Sequence, residues 1–166
     1  MILGMSTSTF TLLHVLISLI GIGSGLIAVN GLLNGKLLSG WTPLFLVSTV
    51  LTSVSGFLFP VEHLLPSHKV GIISLFVLAI AIAALYLFRL AGKWRAIYVI
   101  SALMALYLNC FVAVVQSFLK VPALHALAPN GNEPPFLIAQ TIVLLVFIVL
   151  GVSATKRFRG VPVLAT

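Results

Sequence analysis

Five long apolar runs divide this 166-residue chain, and they leave little room for anything except helices that cross a membrane. A stretch of about 18 or more apolar residues reads as a spanning helix, because roughly 20 residues cross the hydrocarbon core of a bilayer. The runs cover residues 10–33, 42–60, 70–90, 97–119 and 136–154. Trp41, Trp94, Arg95 and Tyr98 lie at their ends, where amphipathic side chains suit the headgroup region. The fold expected is therefore all-α: a polytopic bundle of five transmembrane helices formed by residues 1–166 as one unit.

Composition excludes the ordinary alternatives. Charged residues make up 7% of the chain and hydrophobic residues 61%, whereas a soluble domain carries about 25% charged residues. The lone cysteine, Cys110, has no intrachain partner, so no disulfide framework is expected. The first run lacks a basic leader and a small-residue cleavage site, so it reads as a retained helix rather than a signal peptide.

The net charge of +7 is unevenly placed. Lys36 follows the first run, Arg89, Lys93 and Arg95 bracket the third link, and Lys156, Arg157 and Arg159 follow the fifth run. With five alternating spans these fall on one face. The opposite face receives Lys69, Lys120 and both acids, Glu62 and Glu133. Lys/Arg bias in short loops sets orientation with the positive side cytoplasmic, which predicts an external N-terminus and a cytoplasmic C-terminus. The basic tail, KRFRG, reads as an anchor to anionic lipid rather than a nucleic-acid contact.

Polar residues inside the runs suggest which faces look inward. Helices in lipid associate through small residues and interhelical hydrogen bonds. The first run has His14, Ser18, Gly21, Gly25 and Ala28 at helical spacing, with Gly21 and Gly25 forming a GxxxG pair. The second run places Thr49, Thr52 and Gly56 on one face, and the fourth places Ser101, Ala105, Asn109, Ala113 and Gln116 on another. Asn109 lies near mid-membrane and needs partners, for which Thr49, Thr52 or the thinned backbone of the first helix are candidates. Structural packing is the expectation for all three. No acid or base lies near a span centre, which argues against proton pumps, ion-coupled transporters and voltage sensors. The absence of an internal repeat argues against an inverted-repeat transporter.

The candidate chemistry is gathered on the outer side. His14 sits near the start of the first run, His63 and His68 lie with Glu62 in residues 61–69, and His125 lies in the long link between the fourth and fifth runs. Imidazole and carboxylate are transition-metal ligands, so His14, Glu62, His63, His68 and His125 form the candidate metal set. For haem b, two histidines on facing elements would serve as axial ligands, and His14 with His68 is the candidate pair. If they are not ligands, His14 and His68 could instead hydrogen-bond Gln116, Gln140 or a quinone carbonyl, which makes His14, His68 and Gln116 the cofactor-binding candidates. The competing reading is that the loop histidines are solvated interfacial residues. Redox or metal handling, an accessory or scaffold subunit of a membrane complex, and a small-solute permease are then the function classes left open.

The strings TSVSGFLFP, PSHKVGIISL, FLKVPALHALAP and EPPFLIAQ resemble a group of small, uncharacterised five-span bacterial inner-membrane proteins, and the likeness runs over nearly the whole chain. It implies a compact inner-membrane protein. It carries no activity or cofactor, so no catalytic residue is transferred from it.

Overall fold

The computed structural model describes residues 2, 4–59 and 66–159, and it is all-helical. Five long helices, α1 (Thr7–Leu33), α2 (Trp41–Gly56), α3 (Pro66–Ile82), α4 (Trp94–Lys120) and α6 (Pro134–Arg157), form a bundle, with a short α5 (Pro122–His125) between the last two. Most helices run a few residues beyond the apolar runs, because capping residues sit outside the hydrocarbon pattern. Ser6 starts α1 by accepting a hydrogen bond from the Thr9 N–H, as serine does at an N-cap. His14 consequently lies two turns inside the helix.

The second helix is the exception. It stops at Gly56, short of Pro60, and tightens into a turn through Phe57 N–H to the Val54 carbonyl and Leu58 N–H to the Ser55 carbonyl. A residue before proline avoids helical backbone angles, so the chain leaves the helix ahead of Phe59–Pro60. Its 16 residues give about 24 Å of length. Among the described residues, four helices are long and apolar enough to cross a membrane: α1, α3 with its continuation to Leu87, α4 and α6. The second helix is apolar but below that length.

Side-chain pairings fix the directions. Ser18 meets Asn109 while Gly25 meets Leu106, so α1 and α4 are antiparallel. Gly21 faces Thr49 and Gly25 faces Phe45, which sets α2 antiparallel to α1. Phe118 packs edge-on against Phe136 and Tyr107 against Phe147, which sets α6 antiparallel to α4. The fourth helix is the centre of the bundle and touches every other one. The sixth is the most peripheral: Ala154 is its sole buried residue, while Ile138, Leu145 and Val149 stay more than half exposed.

The tightest packing lies toward one end. Val29, Leu32, Phe45, Leu78, Tyr98, Leu106 and Phe158 belong to one continuous cluster, drawn from the late turns of α1 and α3 and the early turns of α2 and α4. At that end α3 continues as a π-helical turn, Ala83–Leu87, closed by Phe88 N–H to the Ala83 carbonyl. Arg89 and Leu90 then adopt positive φ, 46° and 58°, a region that side chains other than glycine seldom occupy. The strain is held by Leu90 and Trp94 packing on the core and by Phe88 stacking on Trp94 with ring centroids 3.6 Å apart.

Candidate functional site

The polar interior begins with Gly21. A Cβ there would lie 3.1 Å from Asn109 Nδ2, 3.2 Å from Thr49 Oγ1 and 3.3 Å from Ser48 Oγ, so a missing side chain lets three helices meet at one point. Ser18 Oγ donates to Asn109 Oδ1 at 2.9 Å, and Asn109 Nδ2 reaches the Ser18 carbonyl at 3.5 Å. Asn109 is 7% exposed and Thr49 1%. Thr49 and Thr52 do not partner the amide; they donate back to the Phe45 and Ser48 carbonyls of their own helix. That bond satisfies a hydroxyl one turn up its own helix and needs no second element.

Around this centre, four side-chain bonds each join a different pair of helices. His14 Nδ1 and Ser55 Oγ are 2.7 Å apart between α1 and α2, and Ser53 donates to Ser74 at 3.0 Å between α2 and α3. Ser18 with Asn109 joins α1 to α4, and Gln140 Nε2 donates to the Phe111 carbonyl at 3.2 Å between α6 and α4. Gln140 Oε1 is buried with no hydrogen-bond partner among the described residues, which costs about 1–3 kcal/mol for such an acceptor.

The one proton of the Ser55 hydroxyl links two bonds, to the Thr52 carbonyl and to His14 Nδ1, and where it goes sets the tautomer of His14. When the Ser55 hydroxyl donates to the Thr52 carbonyl, 3.1 Å away, its oxygen accepts from His14 Nδ1–H. In a neutral imidazole the other nitrogen, Nε2, carries the lone pair. The ring is also held edge-on to Phe59, with centroids 5.3 Å apart, and Phe59 in turn stands edge-on to Phe10.

His14 and His68 occupy opposite sides of α2. Ser55, which holds His14, and Ser53, which bonds α3, are two residues apart, or about 200° around a helix. His68 is 6% exposed and packs on Phe57, four residues after Ser53 and on the same side. Gly71, one turn further along α3, presses on that same ring: a Cβ there would sit 3.1 Å from Phe57 Cζ. The body of α2 thus stands between the two imidazoles. His125 is exposed on α5, which among the described residues packs on α4 and on no other helix. Gln116 is exposed as well. Glu62 and His63 lie outside the described residues. Among the described residues no three His, Cys, Asp or Glu side chains gather into a group able to hold a metal ion.

At the same end, the link before α6 is tied by Glu133. Its carboxylate accepts from the Asn130 N–H at 3.0 Å, Asn130 Nδ2 at 2.7 Å and the Asn132 N–H at 3.1 Å. Desolvation acts to raise this carboxyl, but the hydrogen bonds from Asn130 and Asn132 outweigh it and hold the pKa down at about 2. The sequence singled out Glu133 only as a charge; the run of Asn130, Gly131 and Asn132 before it is the turn-forming signal that marks the loop.

Set beside models of known protein families, curated proteins and solved structures, the chain matches none of them.

Proposed function

We propose that this chain is a five-span protein of a bacterial inner membrane, with its N-terminus outside and its basic C-terminus cytoplasmic, and that it serves as a non-enzymatic subunit scaffolding a larger membrane assembly. One observation carries the role. The intramembrane polar groups are turned onto one another as clamps between helix pairs: His14 with Ser55, Ser18 with Asn109, Ser53 with Ser74. Interhelical bonds of this kind hold a bundle in one arrangement. The exposed apolar face of α6 is the side on which a partner helix would lie. A fifth crossing is supported by α2 lying antiparallel to α1 alongside the longer helices. The proposed orientation draws on the charge distribution, and the likeness to small five-span inner-membrane proteins belongs to the same proposal.

Extraction from the native membrane in a mild detergent, followed by affinity purification and mass spectrometry, tests the role. A membrane protein recovered in fixed stoichiometry supports it; a chain that runs alone in every mild detergent overturns it. A reporter fused at Thr166 is expected to be cytoplasmic and a tag at Met1 external, and the reverse would overturn the orientation.

A second reading rests on His14. The Nε2 lone pair, oriented by Ser55 and framed by Phe10 and Phe59, is suited to ligate haem b or a transition metal, or to accept a proton from a quinol hydroxyl. His68 would not complete an axial pair with it across α2. An absorption spectrum and elemental analysis of gently purified protein decide this reading. A Soret band or stoichiometric metal lost in His14→Ala supports it, and a colourless, metal-free protein removes it.

A further inference from the structure

The end opposite the histidines draws the cations of three separate segments into one continuous strip. Phe158, in the middle of the basic tail, is 1% exposed and sits in the core beside Ala154. Its N–H bonds the Ala154 carbonyl, the last helical bond of α6, and its buried ring holds residues 158–159 against the bundle. From there the Arg159 carbonyl accepts a hydrogen bond from the Arg95 guanidinium at the start of α4. On the other side, the Arg157 carbonyl lies against Gly35, where a Cβ would stand 3.6 Å from the oxygen. Lys36 follows Gly35, and Arg89 and Lys93 lie in the link that leads into α4 and Arg95. Phe158 and the Arg95 bond thus hold the tail so that its charges join those of the other two links.

No carboxylate offsets this charge among the described residues. Glu133, the one acid described, opens α6, and the 24-residue helix carries it about 36 Å from Arg157. Lys36, Arg89, Lys93, Lys156, Arg157 and Arg159 are exposed, while Arg95 is half-buried. Like charges held together repel one another, so a strip of this kind is completed by an anion from outside. The level of the strip indicates which anion. Trp41 and Trp94, the chain's two tryptophans, open α2 and α4 at this same end, and tryptophan marks the depth of lipid headgroups.

We propose that this strip is a binding site for the phosphate headgroups of anionic phospholipid, assembled where buried Phe158 and the bond from Arg95 to the Arg159 carbonyl hold the end of α6 against the bundle. The proposal rests on placement in a bilayer, not on the scaffold role, and recovery of the chain in carbonate-washed membranes checks that placement separately. The test uses the full chain in a neutral detergent, with thermal unfolding and native mass spectrometry as readouts. Dioleoylphosphatidylglycerol is expected to raise Tm and to stay bound at concentrations at least fivefold lower than dioleoylphosphatidylcholine. The double variant Arg157→Gln/Arg159→Gln is expected to remove at least fivefold of that preference, and it retains the backbone carbonyl that Arg95 uses. Phe158→Ala is expected to do the same with every cation in place, whereas Lys120→Gln at the opposite end leaves the preference intact. An equal response to both lipids, or a double variant that keeps the preference, overturns the proposal. So does soluble glycerol phosphate matching the lipid, which would assign the strip to a free phosphate.

Discussion

Ser18 and Asn109 hold α1 and α4 together through a 2.9 Å hydrogen bond deep in the bundle, and the glycine one turn below Ser18 makes the contact possible. Asn109→Leu is expected to lower stability in detergent by about 1 kcal/mol, the usual scale for an interhelical bond in a membrane protein. Ser18→Ala should lose a similar amount. Because the two act as one unit, the double variant should lose less than the sum, by about 0.5 kcal/mol or more. A strictly additive result in a thermal or denaturant melt would show that the pair is not coupled.

The two glycines of the GxxxG pair are distinguished from their neighbour Gly23 by what surrounds them. A Cβ at Gly25 would stand 2.6 Å from Leu106 Cδ1 and 2.8 Å from Phe45 Cδ2, whereas at Gly23 nothing lies within 4 Å. Gly25→Ala is therefore expected to cost about 1–3 kcal/mol through overpacking. Gly23→Ala should be neutral or slightly stabilising, since alanine favours a helix over glycine by about 1 kcal/mol. Melting both variants in the same detergent separates the two sites.

The tautomer of His14 is open to direct observation. Nitrogen-15 shifts of the imidazole are expected to show protonation at Nδ1 with Nε2 bare. Ser55→Ala removes the acceptor and should abolish that preference without unfolding the bundle. Persistence of the same tautomer in Ser55→Ala would mean that another group orients the ring.

Acid should loosen the link before α6. The folded pKa of Glu133, about 2, lies below its ordinary value of 4.5. The ionised carboxylate thus contributes fully above about pH 4.5, and that contribution is lost as pH falls through 2. Amide chemical shifts of Asn130 and Asn132 are expected to move together with a midpoint near pH 2, and Glu133→Gln should reproduce the acid form at neutral pH. A midpoint near 4.5 would show that the three hydrogen bonds do not form.

How much of this could be read from residues alone differs from one feature to another. The inward face of α1 is legible because small residues recur at helical spacing and only one face can carry them. The charge asymmetry is legible because it needs no geometry beyond alternation. The separation of His14 from His68 is not legible: it depends on how far α2 rotates about its own axis, which its Ser/Thr-rich composition leaves undetermined. The early end of α2 depended on the preference of the residue before Pro60. The burial of Phe158 is concealed by the basic residues around it, which mark the segment as a solvated tail. Ser53 and Ser74 carry no sequence signal at all, because each becomes informative only when the other is placed beside it.

The shortness of α2 has a consequence for the surrounding bilayer. At about 24 Å, it falls several Å below a hydrocarbon core of roughly 30 Å. In the proposed five-span arrangement, acyl chains beside α2 shorten or splay to meet it, while those beside the 27-residue α4 need not. Each ångström of mismatch costs a fraction of a kcal/mol, so the protein would dent its membrane on one flank and leave it undisturbed on the other. In a membrane of uneven thickness, that lopsided dent would draw the molecule toward thinner regions and give it a fixed bearing with respect to its neighbours.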